Sequence, residues 1–252
     1  MKMKTLFLVL SLLCLVSASA YALDPYQTIY SCNFENPPFV VNTAVNGVGG
    51  WVSNSITLTM IMAEPAPATN QFLYIGKPSS TNTTHTFQTV SGKERVLFSY
   101  DWQMISAESN SNVNDQGLWM MLTGDNGVGR SGIISANWDL TTSTGWFRAW
   151  NTGPGWTKFG SVVLGTKYNL AMDLDFATKT YDVYLNGTQM LSGLKFYTTT
   201  QSSVSTVYLY KRYKCGDYAI DNINVLATPE PSGLLALGCG MIGVAGCIRR
   251  KR

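Results

Sequence analysis

The chain has 252 residues, with 18 Lys and Arg against 15 Asp and Glu, a formal net charge of +3 at pH 7. This positive balance comes from the two ends, because residues 23–228 carry 12 basic and 14 acidic side chains, a net charge of −2. Nucleic acid is therefore excluded as the expected partner, since phosphate binding requires clustered Lys and Arg. The cluster Lys211, Arg212 and Lys214 is interpreted instead as a charged strand end.

The first 22 residues have the pattern of a secretory signal peptide. Lys2 and Lys4 precede an apolar stretch over 5–16, and small residues follow as far as Ala22. The Ala20-x-Ala22 spacing predicts cleavage after Ala22, with cleavage after Ala20 as the alternative. We therefore expect the protein to be exported.

Residues 23–227 form one predicted all-β domain of 205 residues. Apolar and polar side chains alternate along the segments 95–102, 168–176 and 181–185, which is the period of a half-buried strand. Asn186-Gly187 is a hairpin turn signal between two such segments. Outside the two termini no apolar stripe has helical spacing, so the sequence predicts an antiparallel β-sandwich of many short strands.

Cys32 and Cys215 are the two cysteines of this domain and lie near its opposite ends in sequence. In an exported domain this placement predicts a disulfide between the terminal strands. Two free thiols are the alternative.

The sequence gives little support for catalysis. The single histidine, His85, lies in a segment rich in Thr and Asn that is expected to be a loop. No stretch has the Glu-x-Asp-x-x-Glu spacing that would bring two carboxylates together for retaining glycoside hydrolysis. We expect a protein that is not an enzyme, with polysaccharide hydrolysis as the least favoured function.

Four of the seven tryptophans fall between residues 138 and 156. On a strand, Trp146, Arg148 and Trp150 share one face, while Phe147 and Ala149 share the other. Together with Trp156, the first group has the chemistry of a sugar-binding platform, because flat rings suit the C–H faces of sugars. Burial in the core explains the same tryptophans equally well.

The segments Tyr181–Gly187 (YDVYLNG) and Ile220–Val225 (IDNINV) resemble the hairpin and closing strand of concanavalin A-like and laminin G-like jelly rolls. The resemblance covers about residues 130–226 and implies a jelly-roll sandwich that permits sugar binding. It also implies a structural calcium near the terminal strands, for which Glu35 and Asp221 are the candidate ligands. Asp221 shares a face with Ala219, Ile223 and Val225 in the expected alternation, and a hydrogen-bonded carboxylate is the alternative to a metal ligand.

The last 25 residues contain three consecutive signals. Pro229-Glu230-Pro231 comes first, residues 233–248 carry no charge, and four basic residues at 249–252 end the chain. A helix of 16 residues spans roughly 24 Å, and the basic cluster is typical of a cytoplasmic stop. This order resembles the PEP-CTERM sorting signal, and the resemblance implies processing by exosortase after transient anchoring in the cytoplasmic membrane. An ordinary single-span tail anchor is the alternative.

Together these patterns predict three segments: a signal peptide at 1–22, a β-sandwich at 23–227 and a sorting signal at 228–252 with a transmembrane helix at 233–248. The expected protein is exported and acts at the cell surface or in the extracellular matrix, with its C-terminus in the cytoplasm before processing. Polysaccharide binding is the first functional hypothesis. A structural role in matrix or adhesion, without a sugar site, is the second.

Overall fold

A computed structural model of the chain describes residues 26–228, apart from 36, 56–57, 66–69, 77–79, 92–94, 108–116, 125–128 and 213–215. The predicted signal peptide and the whole of the predicted sorting signal after Thr228 lie outside these residues. Within them there is no helix long and apolar enough to cross a membrane, and the predicted helix at 233–248 stays a prediction.

The described residues form two antiparallel sheets packed as a jelly-roll β-sandwich, which confirms the predicted fold class. The first sheet contains β1 (Gln27–Cys32), β3 (Thr59–Ala63), β4 (Gln71–Ile75), β6 (Arg95–Ser106), β11 (Lys167–Asp175), β12 (Thr180–Leu185), β13 (Thr188–Lys195) and β15 (Asp217–Ala227). The second contains β2 (Trp51–Ser53), β5 (Thr81–Ser91), β7 (Gly117–Thr123), β8 (Arg130–Asp139), β9 (Thr144–Asn151), β10 (Gly155–Val162) and β14 (Ser203–Arg212).

Strands distant in sequence meet in both sheets. The first sheet runs β13-β12-β11-β6-β15-β4-β3, and β1 pairs with the C-terminal part of β15. The second sheet runs β10-β9-β8-β7-β14-β5-β2. The closing strand β15 therefore lies in the middle of the first sheet, as expected for a jelly roll in which the end of the chain completes the core.

The core between the sheets is built by the predicted alternation. On β6 the buried residues are Val96, Phe98, Tyr100, Trp102 and Met104, and on β11 they include Tyr168, Leu170, Met172 and Leu174. The two strands pair directly, with Leu170 opposite Tyr100 and Met172 opposite Phe98. Their buried apolar side chains therefore lie side by side and form cross-strand pairs. Burial of this face is what fixes the register, since a slip by one residue would expose it.

Two local predictions are wrong. His85 lies within the 11-residue strand β5 and not in a loop, because the Thr residues around it are β-branched and suit a strand. Asp221 does not share the inward face with Ile223 and Val225, because β15 contains a bulge between Asp221 and Asn224. Asn222 occupies the left-handed region (φ 48°) at this bulge, and the inserted residue reverses the alternation.

The predicted disulfide involves one residue outside the described part of the chain. Cys32 is a buried free thiol opposite Ile223, whereas Cys215 lies outside the described residues. The Cys32–Cys215 bridge therefore stays a prediction.

Candidate functional site

The β9–β10 hairpin brings the predicted platform residues together on the outer side of the second sheet. Trp146, Arg148 and Trp150 alternate along β9 with the inward-facing Phe147 and Ala149, as the sequence predicted. The register then sets Trp156 of β10 opposite Trp150, and Lys158 opposite Arg148. Gly153 and Gly155 both have positive φ, and this turn geometry allows the two tryptophans to face each other.

Neighbouring strands extend this face with aromatic residues that the sequence analysis missed. Trp119 of β7 lies opposite Tyr210 of β14, and Met121 lies opposite Tyr208. We call the outer side of the second sheet the aromatic face and define it by Trp119, Trp146, Trp150, Trp156, Tyr208 and Tyr210. Its apolar floor is formed by Trp119, Met121 and Ile133, all buried.

Five rings of the aromatic face form a continuous series of contacts, in the order Trp150, Trp156, Trp119, Tyr210 and Tyr208. Trp156 contacts Trp119 (5.4 Å between ring centroids, 62° between planes) and Trp150 (5.3 Å, 85°). On the other side Tyr210 contacts Trp119 (5.6 Å, 86°) and lies 6.4 Å from Tyr208. Edge-to-face contacts leave ring faces available at the surface, and Trp150, Trp156, Tyr208 and Tyr210 all keep partial solvent exposure.

Hydrogen bonds from the polar surroundings hold Trp150 in place. Its indole Nε1 donates to Thr152 Oγ1 (3.3 Å), and Thr152 in turn donates to the Phe196 carbonyl (2.5 Å). From the core side the buried hydroxyl of Tyr181 donates to the Trp150 carbonyl. The adjacent loop adds the ring of Tyr197 at 5.2 Å. Trp150 is thus fixed at both its backbone and its ring.

Three cations lie against rings of this face. The Arg148 guanidinium is 4.0 Å from the Trp156 ring centroid, and the Lys158 ammonium is 3.7 Å from that of Trp146. Arg130 lies 5.3 Å from the Tyr197 ring and 5.9 Å from the Trp119 ring. Such contacts orient a cation without neutralising its charge. The aromatic face therefore combines flat apolar surface with positive charge.

The structure places three tryptophans of this segment outside the core between the sheets. Trp146, Trp150 and Trp156 are half-buried on the outer face and none belongs to the core between the sheets. Arg148 is only 4% exposed, so it supports the face from within more than it reaches into solvent. The geometry can stack sugar rings on aromatic surface and offer hydrogen-bond donors beside them.

The predicted calcium ligands lie on the opposite outer side, that of the first sheet. Glu35 accepts a hydrogen bond from the Gln71 backbone (2.8 Å), while Asp221 accepts from Asn70 Nδ2 (3.0 Å) and from the Asn222 backbone (2.8 Å). Burial raises the pKa of Asp221 to about 6. The two hydrogen bonds lower this pKa, and the negative charges of Glu35 and Asp101 raise it further. Among the described residues no group of three His, Cys, Asp or Glu side chains could hold a metal ion. The Asp221 carboxylate is hydrogen-bonded in the structure, and calcium binding by Glu35 and Asp221 stays a prediction.

His85 lies on the core side of β5 and is remote from the aromatic face. Its ring stacks on Tyr30 (4.2 Å, 24°), and Nε2 lies 2.9 Å from the Gly49 carbonyl. Burial lowers the pKa of His85, so the neutral ring is the favoured form. This environment is that of a packed structural histidine.

Comparison with known proteins finds similarity in fold and none in family. No family model matches the sequence, and no curated protein matches it. Solved structures do match: a sialidase (TM-score 0.55, 13% identity, 79% of this chain), and the alginate lyase Aly36B (0.50, 14%, 79% of this chain and 96% of the lyase). The Emp47p carbohydrate recognition domain matches with a TM-score of 0.51 and 10% identity over 81% of this chain and 97% of that domain. The chain spans only 18% of the length of the sialidase. At these identities the likeness establishes the shared β-sandwich fold.

Proposed function

We propose that this protein is an exported surface protein that binds polysaccharide on the aromatic face. The observation that carries the proposal is the series of partly exposed rings on the outer side of a sheet, where core packing does not require them. An exposed apolar surface of this kind in a soluble fold usually marks an interaction site. Two of the structural neighbours are an alginate lyase and a carbohydrate recognition domain, which supports a sugar as the ligand.

The proposed role is binding without catalysis. Retaining glycosidases need two carboxylates about 5 Å apart, and the described strands carry one acidic residue on the outer side of the second sheet, Asp139. That residue lies at the β8–β9 turn, where it accepts a hydrogen bond from the Thr141 backbone (2.8 Å). Burial raises the pKa of the Tyr208 hydroxyl, which disfavours the phenolate that a general base would require. Incubation with each bound polysaccharide and analysis for shortened chains tests this part, and product formation would contradict it.

The binding test compares two aromatic residues on opposite outer sides. Trp150→Ala removes a ring of the aromatic face, whereas Tyr184→Ala removes an outward ring of the first sheet beside Asp173. On an array of immobilised polysaccharides we expect saturable binding by the natural protein and a loss of about tenfold or more for Trp150→Ala, because truncating an aromatic anchor of a binding surface typically costs about 2 kcal/mol or more. Tyr184→Ala should bind normally.

Failure of the natural protein to bind any polysaccharide would contradict the proposal and favour the matrix or adhesion alternative, in which the protein self-associates. Equal losses for both variants would mean that the aromatic face is not the site. Thermal unfolding of each variant establishes that it is folded before binding is compared.

The sorting part of the proposal rests on the sequence from Pro229 to Arg252. From the sequence we expect prolines 229 and 231 to favour an extended motif, because each removes a backbone donor and restricts its predecessor. An extended segment is what a protease-like active site can bind, and we expect the following short, glycine-containing apolar segment to be a weak permanent anchor. We propose that exosortase cleaves near the motif and releases the β-sandwich from the cytoplasmic membrane.

Mass spectrometry of the C-terminal peptide of surface-recovered protein tests processing in a host that carries exosortase. We expect the segment 233–252 to be absent, and we expect Glu230→Ala to accumulate uncleaved in the cytoplasmic membrane. An intact tail on the surface-recovered protein would leave a plain membrane anchor.

A further inference from the structure

We infer that the polysaccharide bound by the aromatic face is acidic, with carboxylate groups along the chain, an inference that rests on the proposed function. The outward side of the second sheet carries the cations Arg130, Arg148 and Lys158 among its described residues. In the described strands of this sheet, Asp139 at the β8–β9 turn is the acidic residue of the same side. The described part of the face is therefore positive, although residues 23–228 as a whole carry a net charge of −2.

Two of these cations are available to a ligand. Within the part of the chain that the structure describes, neither Arg130 nor Lys158 forms an ion pair, and the rings of Trp119, Tyr197 and Trp146 are their side-chain contacts. Lys158 is exposed and Arg130 is half-buried. A ring beneath a cation restricts its motion and leaves its donors directed outward, so a carboxylate on a stacked sugar can accept a charge-assisted hydrogen bond.

The spacing of the two cations requires an extended ligand. Lys158 is the register partner of Arg148, and Arg148 is the partner of Ser135 on β8. Arg130 lies five residues before Ser135 on the same strand. With strands about 4.8 Å apart and about 3.3 Å per residue, the two backbones are on the order of 15–20 Å apart. One monosaccharide cannot contact both cations, whereas a chain of several sugars crossing the aromatic face can.

Four acidic residues of the described strands lie on the other side of the sandwich. Asp101, Asp173, Asp182 and Asp221 all belong to the outward side of the first sheet, which we call the acidic face. Like-charge repulsion disfavours a polyanion there, and the opposite charge of the aromatic face attracts it over roughly the 8–10 Å of the Debye length. An acidic chain therefore has one preferred side on which to bind.

The test compares polygalacturonate with its methyl ester, which has the same sugar backbone without the negative charge. By isothermal titration we expect the acidic polymer to bind at least about tenfold more tightly than the ester, with a difference that shrinks at high salt. Arg130→Gln and Lys158→Gln should each weaken binding of the acidic polymer about three- to tenfold, the range of an accessible charge-assisted hydrogen bond, and leave the ester unchanged. The matched control is Lys195→Gln, an exposed cation of β13 in the first sheet, which should change neither affinity.

The possible failures separate the two proposals. Equal binding of acid and ester, both weakened by Trp150→Ala, would overturn the charge preference and leave polysaccharide binding intact. If Lys195→Gln weakened binding as much as Lys158→Gln, the preference for the acidic polymer would come from the overall charge of the protein. That result would overturn the assignment of acidic-polymer binding to the aromatic face. Stronger binding of dextran sulfate than of polygalacturonate would overturn the carboxylate assignment. Absence of binding to every polysaccharide on the array would overturn the proposed function itself.

Discussion

The two outer sides of the sandwich have the same backbone architecture and opposite chemistry. On the acidic face the outward positions carry carboxylates and amides that bond to one another, as in the contacts of Asn222 Nδ2 with Asp101 (2.8 Å) and Arg95 with Asp173 (2.6 Å). On the aromatic face the outward positions carry six rings and three cations. Polar groups that already have hydrogen-bond or ion-pair partners within the protein do not require a ligand. Exposed rings beside charges that have no ion-pair partner are, in contrast, typical of a binding site.

The largest expected effect tests whether the aromatic face is distinct from the core. Phe147 is fully buried and contacts Trp102 and Tyr168 at about 5 Å, while its neighbour Trp146 points outward. Phe147→Ala should lower the free energy of unfolding by about 3–5 kcal/mol, the cost of deleting a core aromatic ring. Trp146→Ala should cost much less. Urea unfolding of both variants measures the difference, and equal losses would show that the outer rings belong to the structural core.

A smaller effect tests the acidic face through pH. The folded-state pKa of Asp221 is about 6, above the unfolded value near 3.9, so the folded state binds more protons between these values. Stability therefore falls as pH rises from about 4 to about 6, and the deficit persists at neutral pH. The charged groups nearest to Asp221 are Glu35 and Asp101, which favour its protonated form, while Glu64 and Lys167 line the same shallow pocket.

Asp221→Asn removes this titration. We expect the variant to be more stable than the natural protein by about 1–2 kcal/mol above pH 7, after allowing for partial solvent screening, and about equal to it below pH 4. Chemical unfolding across this range is the measurement. A variant less stable at every pH would show that the Asp221 carboxylate makes bonds that its amide cannot replace.

The smallest effect concerns the ion pairs of the acidic face. Arg95 bonds to Asp173 through two nitrogens, but its side chain is 49% exposed. A double-mutant cycle with Arg95→Gln and Asp173→Asn should give a coupling energy of less than about 1 kcal/mol that decreases with added salt. A coupling of several kcal/mol would mean that ion pairs, and not core burial, organise this side of the sandwich.

The strand pattern made part of the site predictable. The alternation of Trp146, Arg148 and Trp150 with Phe147 and Ala149 assigned the faces of β9 correctly, because a strand with one buried side has a strict period of two. Tyr208 and Tyr210 could have been found in the same way, as they alternate with Val207 and Leu209 on β14. The alternation in that segment shows which side of β14 faces outward. It does not show that β14 lies in the same sheet as β9.

Trp119 could not be assigned from the sequence. Its strand, Gly117–Thr123, is apolar almost throughout and buried at every position, so periodicity cannot distinguish its two sides. The predicted inward orientation of Asp221 was wrong for a different reason. A one-residue bulge at Asn222 reverses the alternation on which that prediction was based.

The sequence by itself determined the all-β sandwich, the inward side of the regularly alternating strands and the chemistry that one hairpin could offer. Those properties are local, because side-chain alternation and turn residues act over a few positions. The tertiary structure decided which side of each irregular strand is buried, and that β7, β14 and the β9–β10 hairpin share one sheet. Pairing between strands distant in sequence depends on the packing of the whole core, and only this packing joins Trp119, Tyr210 and Trp156 into one surface.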